Sequence, residues 1–484
     1  MTTLTKIAEL KQSYDALFSS GESNIVNICN IGRDLANQGF KEEANKCFDL
    51  AVKCMLLLLN SSKINMALHV EALIFSSFVK IKEDEQHYYQ CFQCWTREFQ
   101  GKARSMSLPP LKPGVSSRVC FVLQAGLLLG HTRVMLSVID EWRKNNHTEV
   151  EIFVAVLCEI HPNFAENLSS RGISLIHYGE PTLNDPMSLM EAIHALRADL
   201  QKFDIHTVVW VSNPVCSSYA LALPLAPRQI FWSLKFHPVT IPEVQHHICG
   251  GHASEKTRIY HGHPWKVVPF PLTVSLTENK PEDIKKIKSQ FPKDTVLLGI
   301  LAREEKYNSN DYLVAVGTIL AENPQCHFIF SGRKILPKMI ETFTAYSVWE
   351  RCHFVGWVDT NLYAQVLDVF LESFPFGCAV TGFQAMGHGT PLVSFQATDT
   401  VFGYQLRGSL GPDFNQVVID EQTGESLPIL TAATLDHYIN LVQRLIDDPV
   451  FRLEIGKREQ QYYSSESAAT NDYAIRLLNL IQSD

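Results

Sequence analysis

One stretch of the chain decides its fold class: Val369-Phe-Leu-Glu-Ser-Phe-Pro-Phe-Gly-Cys-Ala-Val-Thr-Gly-Phe-Gln-Ala-Met-Gly-His-Gly-Thr-Pro-Leu-Val-Ser394. An apolar run ends in Ser-Phe-Pro-Phe-Gly, and a turn of small residues opens a helix near Thr381-Gly382. Gly389-Thr-Pro391 then ends the helix before the next apolar run. This order predicts strand, helix and strand, the unit of a parallel α/β sheet. A helix start offers backbone N–H groups and a positive dipole end, which favour phosphate.

The same alternation of apolar runs and helical stretches extends along the chain in both directions. Before residue 270 the predicted strands are Val119–Leu123, Val150–Leu157, Ile173–His177, Val208–Val211 and Gln229–Ser233. Beyond it they are Val296–Leu301, His327–Ser331, His353–Val355, Val369–Leu371 and Leu392–Phe395. Two series with a break near 270–290 predict two doubly wound, Rossmann-like domains that face each other across a cleft.

The chain before residue 105 is predicted to be helical, because its apolar residues recur at helical spacing and no proline interrupts them. Small and large residues match one tetratricopeptide-type helix pair, namely Ile31, Gly32, Gly39, Ala44, Phe48 and Ala51. An array of such repeats needs about three to be stable alone, so a helical bundle packed on the rest of the chain is the alternative. Prolines in Ser107–Gly114 end the helical part. We therefore predict a helical module at 1–108 and α/β domains at 115–272 and 273–484.

Composition excludes several classes of protein. The 484 residues carry a net charge of -9, which argues against a general affinity for nucleic acid or anionic membrane. The first residues have no apolar segment typical of a signal peptide, no apolar run is long enough to span a membrane, and the twelve cysteines have no framework spacing. These features predict a cytoplasmic protein. The sequence has no Walker lysine motif and no G-x-S-x-G elbow, which argues against a P-loop NTPase and against a hydrolase of the elbow type. The cysteine pair at 91 and 94 and the histidines of 237–263 do not favour a metal site.

The motifs resemble those of the O-GlcNAc-transferase-like glycosyltransferases, a family that includes SPINDLY-like proteins and cytoplasmic bacterial N-glycosyltransferases. Val380-Thr-Gly-Phe-Gln384, followed by Gly389-Thr-Pro391, is similar to the family's Thr-Thr-Gly-x-Asp and Gly-x-Pro. Further counterparts occur in the same order at Gly126–Thr132, Ala226–Pro238, Leu297–Asn308 and Thr398–Leu410. The resemblance implies a GT-B fold, with an acceptor-side domain at 115–272 and a nucleotide-sugar-binding domain at 273–484, behind a tetratricopeptide-like module.

The resemblance also implies the residues of the site. Lys306 falls on the family's phosphate-binding lysine, and His131 falls where the family has a histidine that faces the donor. These two are the predicted catalytic residues. The predicted donor-binding residues are His237, Arg303, Lys306, Arg333, Gly377, Val380, Thr381, Gly382 and Gln384. For the charged residues and histidines the alternative is an ordinary surface, turn or helix-cap position.

The chain departs from the family pattern at Gln384, where the family has Asp. A carboxylate can accept hydrogen bonds from both ribose hydroxyls, whereas Gln has one acceptor oxygen and an amide donor. A histidine that the family carries ahead of this motif also has no match here. These departures leave open a second class of protein, a repeat-bearing scaffold whose transferase half has lost activity.

The function that the resemblance implies is transfer of a sugar from a nucleotide diphosphate donor, UDP-linked in the family, to a protein side chain. It implies inversion at the anomeric carbon and no metal cofactor. Phe383–Pro391 also resembles the Glu-Ala-Met-x-x-Gly-x-Pro signature of retaining members, with Gln in place of Glu. A glycan- or lipid-building transferase of the same fold is therefore the alternative. Both a homo-oligomer and a hetero-oligomer stay open.

Overall fold

The structure of the protein is a computed structural model. It describes residues 25–37, 41–78, 85–145, 147, 149–178, 186–211, 217–234, 240–251, 255–260, 262–269, 276–307, 309–374, 377–395, 418–419, 426–427, 429–469 and 472–483. The chain divides into two compact units. The first consists of Met1–Gly250, Glu255–Val268 and Tyr473–Asp484, and the second of Gly251–Ser254 and Pro269–Asp472. Each unit is built around its own large, mostly parallel sheet.

Four helices precede the first sheet: α1 (Ile25–Asn37), α2 (Lys41–Asn60), α3 (Ile64–Phe78) and α4 (Glu85–Arg104). The positions of α2 that the helical spacing assigned to a packed face, Ala44, Phe48 and Ala51, are buried. Phe48 contacts Trp95 of α4, with ring centroids 6.3 Å apart. The N-terminal part is thus helical where it is described, and its assignment to the tetratricopeptide type stays a prediction.

The first sheet has eight strands in the order β3-β2-β1-β4-β5-β6-β8-β7. The strands are β1 (Val115–Leu123), β2 (Glu151–Val156), β3 (Ser174–His177), β4 (Ile205–Val211), β5 (Arg228–Trp232), β6 (His246–Cys249), β7 (Thr257–Tyr260) and β8 (His263–Val267). The helices among them are α5 (Gly130–Lys144), α6 (Pro162–Ser170), α7 (Pro186–Lys202) and α8 (Ser217–Ala222). β1 begins four residues before the prediction, because its first residues are exposed or half-buried and include two serines that lack an apolar pattern.

The second sheet has six strands, all parallel, in the order β11-β10-β9-β12-β13-β16. Its strands are β9 (Val296–Ile300), β10 (Cys326–Phe330), β11 (Cys352–Phe354), β12 (Val369–Leu371), β13 (Leu392–Phe395) and β16 (Leu430–Ala432). β14 (Val418–Ile419) and β15 (Ser426–Leu427) form a separate antiparallel pair. The helices are α9 (Pro281–Lys288), α10 (Asn310–Glu322), α11 (Pro337–Ala345), α12 (Thr360–Val366) and α13 (Ala379–Gly387).

Burial in the core of the second unit explains why its central strands have apolar sequences. The central strands β9 and β12 are buried along almost their whole length, since helices cover a parallel sheet on both faces. Their sequences are therefore continuous apolar runs instead of alternating ones. Gly299 in β9 allows a close approach, because a side chain there would lie 2.7 Å from the backbone oxygen of Ile329. The predicted strands Val369–Leu371 and Leu392–Phe395 match the observed bounds.

The C-terminal helices belong to different units. α14 (Leu435–Asp447) and α15 (Pro449–Ala469) lie in the second unit, whereas α16 (Tyr473–Gln482) lies in the first. The indole N–H of Trp142 in α5 donates to the carbonyl oxygen of Ala474 at 2.6 Å. This differs from the predicted domain at 273–484. An amphipathic pattern shows that a helix has an apolar face but not which sheet that face covers.

Candidate functional site

The order of the second sheet reverses beside β9. β10 and β11 follow on one side of it, and β12, β13 and β16 lie on the other. In doubly wound sheets ligands bind at such a switch point, outside the carboxyl ends of the strands. The loop after β9 carries Lys306, and the loop after β12 carries Gly377. Two predicted site residues therefore meet at the switch point of this unit.

Lys306 contacts the loop that leads into α13. It ends a 3-10 turn at Glu304–Lys306, and its Nζ donates to the carbonyl oxygen of Gly377 at 2.7 Å. Ser309 joins the same two loops, since its hydroxyl donates to the carbonyl oxygen of Phe374 at 2.6 Å. These bonds hold a half-buried positive charge beside the start of α13.

Helix α13 begins at Ala379, two residues before the predicted start. The carbonyl oxygen of Cys378 is the first acceptor of the helix, and it takes the N–H groups of Thr381 at 3.0 Å and Gly382 at 3.1 Å. The N–H groups of Ala379 and Val380 come before that point, so they have no acceptor within the helix. The Thr381 hydroxyl donates to the same Cys378 oxygen at 3.0 Å. The helix start thus presents backbone donors and a positive dipole end to an anion.

Sequence reasoning missed Glu372, a fully buried carboxyl group at the end of β12. Its Oε1 accepts the Cys378 N–H at 3.3 Å, and its Oε2 accepts the Ser394 hydroxyl at 2.6 Å. Burial and the Glu372 charge raise the pKa of the Cys378 thiol to about 11, whereas the Lys306 charge lowers it. Glu372 therefore ties the turn before α13 to β13. The signal that could have found it is a carboxylate directly after a buried strand.

Arg333 is tethered by Glu304 across the ends of β9 and β10. Glu304 is 3% exposed, and its carboxylate accepts the Arg333 backbone N–H at 3.0 Å and the guanidinium Nε at 3.3 Å. Burial alone would raise the pKa of Glu304, but the bonds and charge of Arg333 outweigh it and lower that pKa. The Arg333 side chain remains 64% exposed. Arg303, half-buried, comes directly before the turn.

Gln384 lies in the second turn of α13 with 2% of its surface exposed. Gly382 is also buried, whereas Val380 and Thr381 are half-buried. The Gln384 side chain therefore has almost no surface to offer a ligand in this structure. The predicted ribose contact of Gln384 stays a prediction, and it requires a rearrangement of the side chain.

His131 lies at the equivalent place in the first unit. It is the second residue of α5, which follows β1, and the first sheet reverses its order between β1 and β4. The neighbouring Thr132 is fully buried, and its hydroxyl donates to the carbonyl oxygens of Leu127 and Leu129. These bonds fix the loop that positions the half-buried His131.

His237 lies outside the described residues. Gln229 of the same motif is described, and it is 2% exposed. Its Nε2 donates to the carbonyl oxygens of Leu221 at 3.1 Å and Leu223 at 2.9 Å. The amide therefore holds the end of α8 against β5, which is a structural role.

The described part of the chain has neither a membrane-spanning helix nor a cluster of metal-ligating side chains. No helix in it is long and apolar enough to cross a membrane. No group of three or more His, Cys, Asp or Glu side chains in it is arranged to hold a metal ion.

Several solved glycosyltransferases have a similar structure. A mutant of the O-GlcNAc transferase of Thermobaculum terrenum matches with a TM-score of 0.57 and 13% identity, over 98% of this chain and 93% of that chain. A glycosyltransferase of Rickettsia africae matches with a TM-score of 0.54 and 10% identity, over 76% of this chain and 99% of that chain. The lipopolysaccharide outer core galactosyltransferase WaaB matches with a TM-score of 0.50 and 14% identity, over 74% of this chain and 99% of that chain. No protein-family model and no curated protein matches the sequence.

These likenesses confirm the predicted fold class: two Rossmann-like α/β units of the GT-B type. The likeness to the O-GlcNAc transferase covers nearly the whole chain and so includes its N-terminal helices.

Proposed function

We propose that the chain is a glycosyltransferase that moves a sugar from a nucleotide diphosphate donor to an acceptor. The observation that carries this proposal is Lys306, whose Nζ lies 2.7 Å from the Gly377 carbonyl oxygen beside the start of α13. A diphosphate at this place gains from the helix N–H groups and dipole and from the lysine charge. Negative charge grows on the diphosphate as its bond to the anomeric carbon breaks. The same groups therefore stabilise the leaving nucleotide.

The donor we propose is UDP-linked, and the acceptor is a protein side chain that attacks with inversion. In that reaction the acceptor oxygen or nitrogen bonds to the anomeric carbon as the diphosphate leaves, and the acceptor proton passes to a base. His131 is the proposed catalytic residue of the first unit, and no metal is proposed. The resemblance of the chain's motifs to those of the O-GlcNAc-transferase-like family supports a protein acceptor.

A glycan- or lipid-building transferase is the second candidate. The likeness to WaaB, a lipopolysaccharide galactosyltransferase, favours it. A third candidate, a scaffold without activity, is favoured by the buried Gln384 in place of the family's Asp.

The test is nucleotide release by the purified full chain with a panel of UDP- and GDP-linked sugars, with and without protein acceptors. We expect turnover with a UDP-sugar, and Lys306→Ala should lower it roughly 100-fold, as loss of one preorganised charge contact does. Lys286→Ala is the matched control, because it removes an exposed lysine of α9, which precedes the amino end of β9. Nucleotide binding without any turnover would instead support the scaffold. Equal turnover in wild type and Lys306→Ala would remove Lys306 from the site.

A further inference from the structure

Glu372 is completely buried at the carboxyl end of β12, one residue beyond the strand. A carboxyl group is costly to bury unless hydrogen bonds replace those that it makes with water. An apolar side chain at this place would avoid that cost. The hydrogen bonds of Glu372 therefore decide what an acid does there.

The two carboxyl oxygens of Glu372 bond to different parts of the second unit. Oε1 accepts the backbone N–H of Cys378 at 3.3 Å, and Oε2 accepts the hydroxyl of Ser394 at 2.6 Å. Ser394 lies in β13, and it is completely buried. The backbone N–H of Glu372 donates to the carbonyl oxygen of Val393 in the same strand at 3.1 Å. The side chain thus links Cys378 to a fixed part of the sheet.

Cys378 is the residue at which α13 starts. It is the N-cap of the helix, and its carbonyl oxygen is the first acceptor within the helix. Its own N–H is taken by Glu372, so the next backbone donors along the chain are those of Ala379 and Val380. These two are the donors that the helix start presents to an anion. The place where Glu372 holds Cys378 therefore sets the direction in which they point.

Two further bonds hold the same turn from the opposite side. The Ser309 hydroxyl donates to the carbonyl oxygen of Phe374, and the Lys306 ammonium group donates to that of Gly377. A phosphate that binds Lys306 competes for the donors of that ammonium group. Glu372 is buried away from any ligand, so its bond to Cys378 is the same with and without a bound diphosphate.

We propose that Glu372 is a positioning residue for the diphosphate of the donor, because its carboxyl group spans from Ser394 to Cys378 and fixes the start of α13. The inference rests on the proposed function, and it gives Glu372 no contact with the ligand. The reach of the side chain matters here and its charge does not, since a negative charge close to a diphosphate opposes binding. A neutral side chain of the same length should serve as well, whereas a shorter acid should not.

Two substitutions at this position separate reach from charge. Glu372→Gln keeps the length, because its amide oxygen can accept the Cys378 N–H and its amide nitrogen can donate to the Ser394 hydroxyl oxygen. Glu372→Asp keeps the charge but is one methylene shorter, so it cannot reach both partners. The measurement is calorimetric titration of UDP and inorganic pyrophosphate into the full chain.

We expect Glu372→Gln to bind both ligands at least as tightly as the wild type. Glu372→Asp should weaken both by the same factor, roughly 10- to 100-fold, the size of one hydrogen bond to a charged group. UDP and pyrophosphate should lose equally, because the start of α13 meets the phosphates that they share. Ser394→Ala removes one of the two contacts and should weaken both ligands several-fold, which covers the case in which Glu372→Asp does not fold.

Glu459→Asp is the matched control. Glu459 is also completely buried, and its Oε2 accepts the N–H of Leu392 at 2.7 Å at the amino end of β13. This is the opposite edge of the sheet from the start of α13. The control should lower the Tm and leave the affinity for UDP and pyrophosphate unchanged.

Three results would overturn the inference and leave the proposed function standing. The reverse order, with a weak Glu372→Gln and an unchanged Glu372→Asp, would show that the charge matters. Equal affinities in the wild type, Glu372→Asp and Ser394→Ala would show that the start of α13 needs no such link. An equal loss in Glu459→Asp would show that affinity follows the stability of the unit. A wild-type chain that binds neither UDP nor pyrophosphate would contradict the proposed function and, with it, this inference.

Discussion

Lys306 and Gln384 occupy the same unit, but the fold gives them different access to a ligand. Lys306 is half-buried and is held beside the start of α13 by its bond to the Gly377 carbonyl oxygen. A charge that is already in place costs little reorganisation when a diphosphate binds. Gln384 is 2% exposed, so a contact with a ribose costs a rearrangement first. Lys306 can therefore contact a phosphate with less rearrangement than Gln384 needs to contact a ribose.

The ribose contact of Gln384 is tested by two substitutions. Hydrogen bonds to a charged acceptor contribute about 1.5–3 kcal/mol, against about 0.5–1.5 kcal/mol for neutral ones. We therefore expect Gln384→Asp to keep or tighten UDP binding and Gln384→Ala to weaken it several-fold, as measured by titration of UDP. Three equal dissociation constants, with only the Tm changed, would show that Gln384 is a packing residue.

At the scale of elements, a buried polar cluster joins α3 and α4 to α8. The Ser218 hydroxyl donates to Glu71 at 3.1 Å, and the Thr96 hydroxyl lies 3.2 Å from that of Ser218. All three residues are buried. Burial raises the pKa of Glu71 from an ordinary 4.5 to about 7, against the hydrogen bonds of Ser218 and Trp95, which lower it. The N-terminal helices are thus joined to α8 of the first unit through a buried carboxyl group.

This cluster predicts a pH-dependent stability. Between pH 4.5 and 7 the unfolded Glu71 is ionised while the folded one is protonated, so Glu71 lowers stability as pH rises through that window. Glu71→Gln mimics the neutral acid and should raise the Tm by a few degrees at pH 8, with a smaller difference at pH 5.5. Thermal unfolding across this range measures the effect. Glu98→Gln, on the exposed face of α4, is the control, and an identical pH profile in all three proteins would refute the assignment.

At the scale of the molecule, the N-terminal helices share a compact unit with the first sheet. Trp95 and Phe99 of α4 are fully buried, and Arg104 forms an ion pair with Glu243. The proline-rich Ser107–Gly114 is a break in the secondary structure. The helical module at 1–108 therefore has partners that its removal would expose.

Deletion of the module tests this point. We expect a 115–484 fragment to be less soluble and to unfold at a lower temperature than the full chain. Deletion of the helices exposes to solvent the apolar surface and the Ser218 hydroxyl that they bury in the full chain. Thermal unfolding and the yield of soluble protein measure it. A fragment with unchanged Tm and unchanged UDP affinity would show that the helices form an independent module.

Local patterns determined much of the fold. Buried parallel strands are short apolar runs and the helices have a period of 3.6 residues, so ten of the strands and the N-terminal helices were predictable from the sequence. The sequence did not predict β6, β7 and β8 of the first sheet or β16 of the second. The start of α13 and its small residues were predictable to within two positions, because turn chemistry is local. The GT-B fold came from the order of these elements together with a family resemblance.

Only the tertiary structure decided which loops meet. The bond between Lys306 and Gly377 spans 71 residues, and Glu372 and Ser394 join two strands that α13 separates. The pattern of α16 gave no sign that it packs on α5, and the motif around Gln384 did not show that its side chain is buried. Periodicity reports how much apolar surface an element must bury. Which partner buries it depends on the packing of the whole chain, because hydrophobic attraction has no direction.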